Sequence, residues 1–580
     1  MAEPRINSVL AADFGSVNTR ALLFDLVDGE FRLVAQAIER TTIGSPADAA
    51  HLGLAAALAK VSETTGRRFL DEAGRVIRPE EDDRVGVDYF IITASAGPAR
   101  RAVLVGLNPH GGIAAARRAI APFYIDAVAE VHLDDGLGTK GRLNRIIHSR
   151  PQLILISGGT DGGGRTVLLE MLTLIREALS LMPLGRRPMV LYAGNSSLAA
   201  SAREILSQLT ELRFAPNIRQ AGGASLEPLQ TALGSYYDDI MGSARSFQRC
   251  AALSDSGILP SARGVETITA FFARSTGMDT LTIDAGSAKT ALSLARKGLV
   301  HTAVRSDIGL GHSAASALEI IGEDHVAEWL PFHARKGELA QYTRNKGARL
   351  ASVPLDMRER YIEYALLRAG IGFVSEGLVE LAGARVGLII VAGATMIGGG
   401  QGALDMMLLA DALRLEGVVQ VKSDPFGALP ALGALAAAEP RAVVQLLNGN
   451  VLQNVGTLIC LSGRAAAGAP ALKVKVRQGT GERSQHEISA GDVWHLPAPA
   501  TSEVELRIQT RRGLSIGGKR RLRLRAPGGR GGVLIDARLD ALAAAKSMTE
   551  RAVCMLRWYA AVTGQEGPVA IPESWLGEVE

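Results

Sequence analysis

Apolar positions fall in two rhythms along this chain, and the switches between them predict its layout. Residues 8–14, 20–27 and 31–40 are short apolar runs of strand character, separated by Gly15 and by Asp28-Gly29, a hairpin signal. Three strands on tight turns predict an antiparallel meander at the start. A helical stretch covers about 47–65, and a strand at 85–93 is entered from the acidic loop Glu80-Glu81-Asp82-Asp83. From about 98 to 207 the rhythm alternates. Strands at 127–133, 152–157 and 188–192 are separated by helical stretches near 112–121, before 152 and up to about 181, and a further helix follows Asn195. That alternation predicts a parallel sheet with helices on both faces. A second meander is predicted from 281–285, 290–295 and 300–305, the last turn being Lys297-Gly298. Helices dominate 314–383, a strand at 387–392 runs into a glycine loop, and a helix extends to about 415. A strand at 418–422, Asp424-Pro425-Phe426-Gly427 and an Ala-rich helix at 428–438 follow. Residues 441–540 read as short strands with Gly, Pro and Asn turns and little helix, predicting a small β-domain. Residues 539–563 read as an amphipathic helix.

These runs divide the 580 residues into a first α/β part, 1–278, with an α/β insertion at about 120–230, and a second, 279–438. A β-rich domain at 439–540 and a helix with a tail at 541–580 complete the expected organisation. Composition narrows the function classes. With 47% hydrophobic and 21% charged residues, the chain has the make-up of a globular protein with a substantial core. Aromatics at 4% leave little for base stacking, and a net charge of +4 is small over this length, so no nucleic-acid partner is expected. The N-terminus lacks the pattern of a signal peptide, and the most apolar stretch, 386–396, breaks at Gly393 and runs into Gly398-Gly399-Gly400, too short for a bilayer. Cys250, Cys460 and Cys554 are far apart and odd in number, which fits a reducing compartment. A cytoplasmic protein with no membrane association is expected. Scattered histidines show no ligand spacing, and Asp255 with Ser256 offers no catalytic triad.

The chemistry concentrates at the turns of the two meanders. Asp13-Phe14-Gly15-Ser16-Val17-Asn18-Thr19 joins the first two strands. Gly15 lets backbone approach a ligand closely, and Ser16, Asn18 and Thr19 offer N–H groups and polar side chains suited to phosphate oxygens. Asp13 is placed to hold hydrated Mg²⁺ through water. The plain alternative is a hairpin with a small-residue turn. Asp284-Ala285-Gly286-Ser287-Ala288-Lys289-Thr290 repeats the layout, an Asp closing a strand and Gly two positions later. Two such hairpins, each opening a meander, are far more specific than one.

The pair resembles the two phosphate loops of the actin-like ATPases. Gly393-Ala394-Thr395 resembles the adenosine loop of that superfamily, and the stretch from Asp424-Pro425 to Gly433-Ala434-Leu435-Ala436 resembles its closing helix. The resemblance implies an α/β, two-lobed actin-like ATPase (duplicated ribonuclease H-like) fold with an added C-terminal β-domain. It also implies ATP and Mg²⁺ as ligands, phosphate loops facing each other across a cleft, and catalytic roles for Asp13 and Asp284.

A narrower resemblance is to the glutamate mutase L family, whose genes accompany adenosylcobalamin-dependent mutases. The opening Ala12 to Ser16 with Thr19, the block Thr93-Ala94-Ser95-Ala96-Gly97, and Ser157 to Gly163 followed by Tyr192-Ala193-Gly194-Asn195 carry it, together with Ser306-Asp307-Ile308-Gly309. It spans roughly 7–437. One departure matters: where the family's second loop resembles G-G-A-T-T-D, this chain ends the loop on Ala291 and carries Lys289 within it. That puts hydrolysis in doubt more than binding, and Lys289 can meet phosphate as a point charge. The resemblance implies an ATP-dependent assembly or reactivation factor whose partners are cobalamin-dependent mutase subunits, with a homo-oligomer possible. Two other readings stand beside it: a small-metabolite kinase on the same fold, for which Asp307 is the candidate base, and a non-hydrolysing nucleotide-binding scaffold.

Two further features carry chemistry. The glycine loop at 158–164 between a strand and a helix is a phosphate-binding arrangement without Walker A spacing, so Gly159, Thr160, Asp161, Gly162 and Asn195 form a candidate second anion site. A tight strand-to-helix turn is the plain alternative. Residues 511–530 hold eight basic residues and no acidic one, and Arg521, Arg523 and Arg525 share one strand face. They read either as a solvated edge strand or as a docking surface for an acidic partner.

Overall fold

A computed structural model describes every residue except 1–5, 45–46, 83, 98, 219–225, 252, 256, 394–401, 450, 480, 540–544, 546, 565–571, 573–574 and 576–580. The chain divides into two compact units, Met1–Asp25 with Val34–Gly264, and Leu26–Leu33 with Val265–Glu580.

The opening meander, which belongs to the first unit apart from residues 26–33, is β1 (Ser8–Phe14), β2 (Asn18–Val27) and β3 (Glu30–Arg40). Every residue of β1 is buried, as expected for a central strand. It pairs antiparallel with β2 and parallel with β4 (Tyr89–Ala94), and its sheet runs β10-β4-β1-β2-β3, with β10 (Ile258–Pro260) parallel to β4. Between β4 and β10 the chain builds a second sheet from β5 (Arg100–Val105), β6 (Ile125–Val131), β7 (Leu153–Gly158), β8 (Met189–Gly194) and β9 (Leu212–Phe214). Its order is β6-β5-β7-β8-β9 and every pairing is parallel. This is the doubly wound order 2-1-3-4-5, with its topological switch point between β5 and β7. Alternation of strands and helices predicted such a sheet. Two strands were hidden: β5, whose Arg100-Arg101 start masks an apolar end, and β9, which is only three residues long.

In the second unit the meander recurs as β11 (Asp279–Ala285), β12 (Thr290–Arg296) and β13 (Leu299–Arg305), followed by β14 (Val386–Ala392) and β15 (Gly417–Ser423). Here the order is β13-β12-β11-β14-β15, again two antiparallel pairings, then two parallel ones. Strand for strand this repeats β3-β2-β1-β4-β10. The fold is therefore the duplicated ribonuclease H-like arrangement of the actin-like ATPases.

The second sheet continues beyond β15 into β16 (Gln453–Cys460), β24 (Val533–Asp536) and β20 (Val493–Leu496). Both faces of β16 and β24 are covered. Leu458, Cys460 and Leu534 belong to the core of the second unit, whereas Ile459, Val533 and Ile535 face a separate core. That second core is closed by a four-stranded antiparallel sheet, β19-β18-β21-β23, made of β18 (Pro470–Gln478), β19 (Glu482–Ser489), β21 (Glu503–Thr510) and β23 (Arg521–Pro527). The short pair β17 (Ser462–Gly463) and β22 (Leu514–Ser515) completes the strands.

Two expectations for this region need correcting. Residues 440–448 form a helix, Pro440–Asn448, started by Pro440 at its first position, where proline's missing N–H costs nothing. The terminal helix is Met548–Thr563, not 539–563. Ser547 caps it, accepting from the Glu550 N–H at 3.2 Å, and Leu539 has φ 52°, which no helix continues through. A buried network fixes that helix. Arg368 donates to Asp411 (2.7 Å) and to the Tyr559 hydroxyl (2.7 Å), and Arg538 pairs with Asp411 (2.6 Å) and Asp536 (2.7 Å).

Candidate nucleotide site

Asp13 is the last polar position of a strand buried on both faces, and a carboxylate is tolerated there because it is hydrogen-bonded. It is 6% exposed. The register sets Thr93 beside it on β4, and Thr93 Oγ1 donates to Asp13 Oδ1 at 2.8 Å. Ser261, which opens the helix Ser261–Thr276 directly after β10, donates to the same oxygen at 2.8 Å. On the other side stands Arg20, the cross-strand partner of Asp13 on β2, with its guanidinium 3.6 Å from Oδ2. A carboxylate offers about four lone-pair positions, so two hydroxyls on one oxygen leave the other able to accept from water around a hard cation. The donor chemistry thus fits Mg²⁺ held through water. Among the described residues no group of three or more His, Cys, Asp or Glu is placed to ligate a metal directly.

Past Asp13 the turn closes through the Gly15 N–H, which donates to the Asn18 carbonyl at 2.9 Å; a Cβ on Gly15 would stand 3.0 Å from that carbonyl. In the other hairpin the Gly286 N–H donates to the Lys289 carbonyl at 2.8 Å, and a Cβ would stand 3.1 Å from it. The two turns are closed in the same way, and residues 15–18 and 286–289 are half-buried in both. Thr19 and Thr290 are buried, and the Thr19 hydroxyl donates to Thr41 Oγ1 at 3.4 Å. Of the polar groups named in the first turn, Ser16 and Asn18 are the ones left on the turn itself.

The second turn is clasped from outside. The Ser287 carbonyl accepts from Gly311 N–H (2.9 Å) and Ser313 N–H (3.2 Å), and its hydroxyl accepts from His312 N–H (3.0 Å) and meets His312 Nδ1 at 3.2 Å. Glycine is required at 309 because a Cβ would collide with the Ser287 and Ala288 backbone, and at 311 a Cβ would displace the Ser287 hydroxyl. The Ser306-Asp307-Ile308-Gly309 block therefore leads into the clasp of this hairpin. Burial holds the His312 pKa below the ordinary imidazole value. Asp284 pairs across to Ala291 on β12 and Ala392 on β14. Gly393, at φ 87°, follows β14, and a Cβ there would stand 3.0 Å from Asp284 Oδ1. Ala394 and Thr395 lie outside the described residues. Asp424 is fully buried and caps the helix Leu429–Leu435, its two oxygens accepting from Ala428 N–H and Leu429 N–H at 2.9 Å each.

Two acids outside the hairpins change the picture. Asp307, the candidate base of the kinase reading, is paired with both arms of Arg305 at 2.8 Å. Asp405 was missed by the sequence reading. It sits in the first turn of the helix Gly402–Leu413, and desolvation pushes its pKa up to about 7, only partly opposed by Arg530 at 3.7 Å. Its flanking sequence, all Gly, Ala, Leu and Met, was the available signal.

In the parallel sheet of the first unit, the candidate second anion site gathers after β7 and β8. Asp161 accepts from Ser196 N–H (2.8 Å) and Asn217 Nδ2 (2.9 Å), and these bonds hold its carboxyl below the usual range. The Asn195 side chain accepts from Ser197 N–H (3.0 Å) and contacts the Gly163 carbonyl at 3.4 Å. Gly159 and Gly162 have positive φ, and Thr160 is exposed. Asp161 and Asn195 thus tie neighbouring loops together, and the helix Thr166–Leu181 starts several residues further on.

No helix among the described residues is long and apolar enough to cross a membrane. Residues 9–376 match a family model described as "MutL protein". No curated protein matches the chain at a significant level. Among solved structures, a nucleotide-free acetone carboxylase is similar at 12% identity and TM-score 0.30, covering 84% of this chain and 81% of that one. A glycerol dehydratase reactivase is similar at 11% identity and TM-score 0.30, covering 75% and 100%. A nucleotide-free diol dehydratase-reactivating factor is similar at 12% identity and TM-score 0.29, covering 76% and 99%. At such scores the strand order, and not these likenesses, carries the fold.

Proposed function

The chain belongs to the MutL protein family, which its residues 9–376 match over more than half its length, and on that premise we propose that it is an ATP-binding accessory protein that assembles or reactivates an adenosylcobalamin-dependent mutase. The observation that carries the nucleotide part is the repetition of one device. Each ribonuclease H-like sheet begins with an Asp-ended central strand, a turn closed by a glycine N–H, and a return strand. In this reading both turns present backbone N–H groups to phosphate, Asp13 orients the waters of Mg²⁺, and Lys289 adds a point charge. Gly393, Ala394 and Thr395 approach the nucleoside. ATP then favours one conformational state of the chain by binding it more tightly. The mutase as client comes from the family resemblance.

Turnover in this reading is slow. Ala291, directly opposite Asp284, takes the place of a carboxylate. That same feature supports the second reading, a scaffold that binds ATP without hydrolysing it. The Arg305–Asp307 pair speaks against a metabolite kinase. The test is steady-state phosphate release by the full chain, alone, with a metabolite panel, and with cobalamin-dependent mutase subunits. Stimulation by the mutase subunits alone supports the proposal, fast turnover with a metabolite overturns it, and ATP binding with no turnover in any arm leaves the scaffold.

A further inference from the structure

The outer face of the four-stranded sheet β19-β18-β21-β23 carries a charge pattern that the nucleotide site does not use. Strand alternation turns Leu472, Val474, Val476, Val504, Leu506 and Ile508 into the core beneath, so the intervening positions share the outer face. The register then sorts that face into rows. In the central row Gln485, Lys475, Arg507 and Arg523 stand side by side across the four strands, three cations with no carboxylate. The next row is Arg483, Arg477, Glu505 and Arg525, where one carboxylate serves two arginines, at 3.6 Å and 3.7 Å. The third is Glu487, Lys473, Gln509 and Arg521. Eight cations thus face two carboxylates, a surplus of six that exceeds the net +4 of the whole chain.

Edge protection explains only part of this. Arginine on β23 blunts an open edge. But β18 and β21 are interior strands, already paired on both sides, and need no such guard. Like charges placed directly opposite destabilise a sheet by some tenths of a kcal/mol to about 1 kcal/mol a pair. The Lys475–Arg507–Arg523 row bears that cost twice. The face is also concave: Lys475, Arg477, Arg483, Arg507, Arg523 and Arg525 line a hollow of about 720 Å³.

We propose that this hollow is a docking surface for an acidic segment of a partner protein, a helix or loop bearing several Asp and Glu side chains. The charge surplus calls for an anion, and the planar forks of arginine suit carboxylates held in pairs. No aromatic side chain stands in the three rows, so the stacking that single-stranded nucleic acid requires is missing there. The inference deepens the accessory-protein reading by naming where its client is grasped, and it stands on the sheet face alone.

The test uses the full chain and its Lys475→Gln/Arg507→Gln/Arg523→Gln variant. All three side chains are exposed, so the variant melts like the parent or slightly higher. A labelled glutamate-rich helical peptide and a single-stranded oligonucleotide are each titrated by fluorescence anisotropy at low and at physiological salt, with ATP binding measured in parallel. The peptide should bind the parent, weaken at least tenfold in the variant, and bind more tightly than the oligonucleotide, while ATP affinity stays unchanged. Equal peptide binding by parent and variant, no peptide binding, or tighter binding of the oligonucleotide overturns the proposal. Failure of ATP to bind while peptide binding behaves as expected would sink the nucleotide reading and leave this one standing.

Discussion

Replacing Asp13 by Asn separates a metal role from a structural one. Asparagine keeps an Oδ1 to accept from Thr93 and Ser261, both now at 2.8 Å, and loses only the charge. Alanine is the poorer probe, because it leaves two buried hydroxyls without their acceptor at about 1–3 kcal/mol each. What the charge contributes to stability follows from Arg20 at 3.6 Å. At an effective dielectric near 20 the attraction is about 5 kcal/mol, and desolvation of the carboxylate offsets several kcal/mol of it. A net loss of about 1–2 kcal/mol is expected, a modest fall in melting temperature with the fold intact. For binding, a charge-assisted contact is worth about 1.5–3 kcal/mol, so ATP affinity in Mg²⁺ should drop roughly tenfold to hundredfold. Affinity in EDTA should stay the same. The assay is calorimetric ATP titration with Mg²⁺ and with EDTA, beside a thermal melt. A folded Asn variant that keeps the full Mg²⁺ enhancement would refute the reasoning.

Three other outcomes follow from particular residues. Asp405 has a folded pKa near 7 against an ordinary 3.8, so the folded state binds its proton more tightly. Stability therefore falls as pH rises from about 4 to about 7 and levels off above. At 1.36 kcal/mol per unit, the melts of parent and Asp405→Asn should diverge by about 4 kcal/mol over that window, in favour of the variant, and parallel curves would contradict the burial argument. Asp411→Ala leaves Arg538 with Asp536 but takes from the buried Arg368 the carboxylate it donates to, and should cost about 3–5 kcal/mol in urea unfolding; a change under about 1 kcal/mol would show the network to be dispensable. Ala291→Asp should raise phosphate release, with some loss of stability because the new carboxylate stands directly opposite Asp284; unchanged turnover in a folded variant would show that this position does not limit hydrolysis.

The sequence made the hairpins legible because their information is local. An Asp, a Gly two places on and a return strand can be read within a dozen residues, and β1 to β3 and β11 to β13 came within two residues of their expected bounds. What holds the site was not local. Ser261 reaches Asp13 across 248 positions, and the helix it opens had no place in the expected layout. The clasp of Ser287 by residues 311–313 likewise depends on a fold-level approach that two glycines permit. Arg521, Arg523 and Arg525 were visible as an alternating strand, but Lys475 and Arg507 join them only through sheet register, which no single run of sequence encodes. Continuity of β16, β20 and β24 with the second sheet was hidden for the same reason.

The most direct test of the account is calorimetric titration of Mg²⁺-ATP into the full chain, its Gly15→Val variant and its Gly286→Val variant. The carbonyls that a Cβ would press, Asn18 at 3.0 Å and Lys289 at 3.1 Å, belong to the turns assigned to phosphate. One ATP per chain should bind the parent, and either variant alone, though still folded by its melting curve, should lose detectable binding. No binding by the parent, or parent-like binding by both folded variants, would contradict the claim that the two repeated hairpins form the nucleotide site.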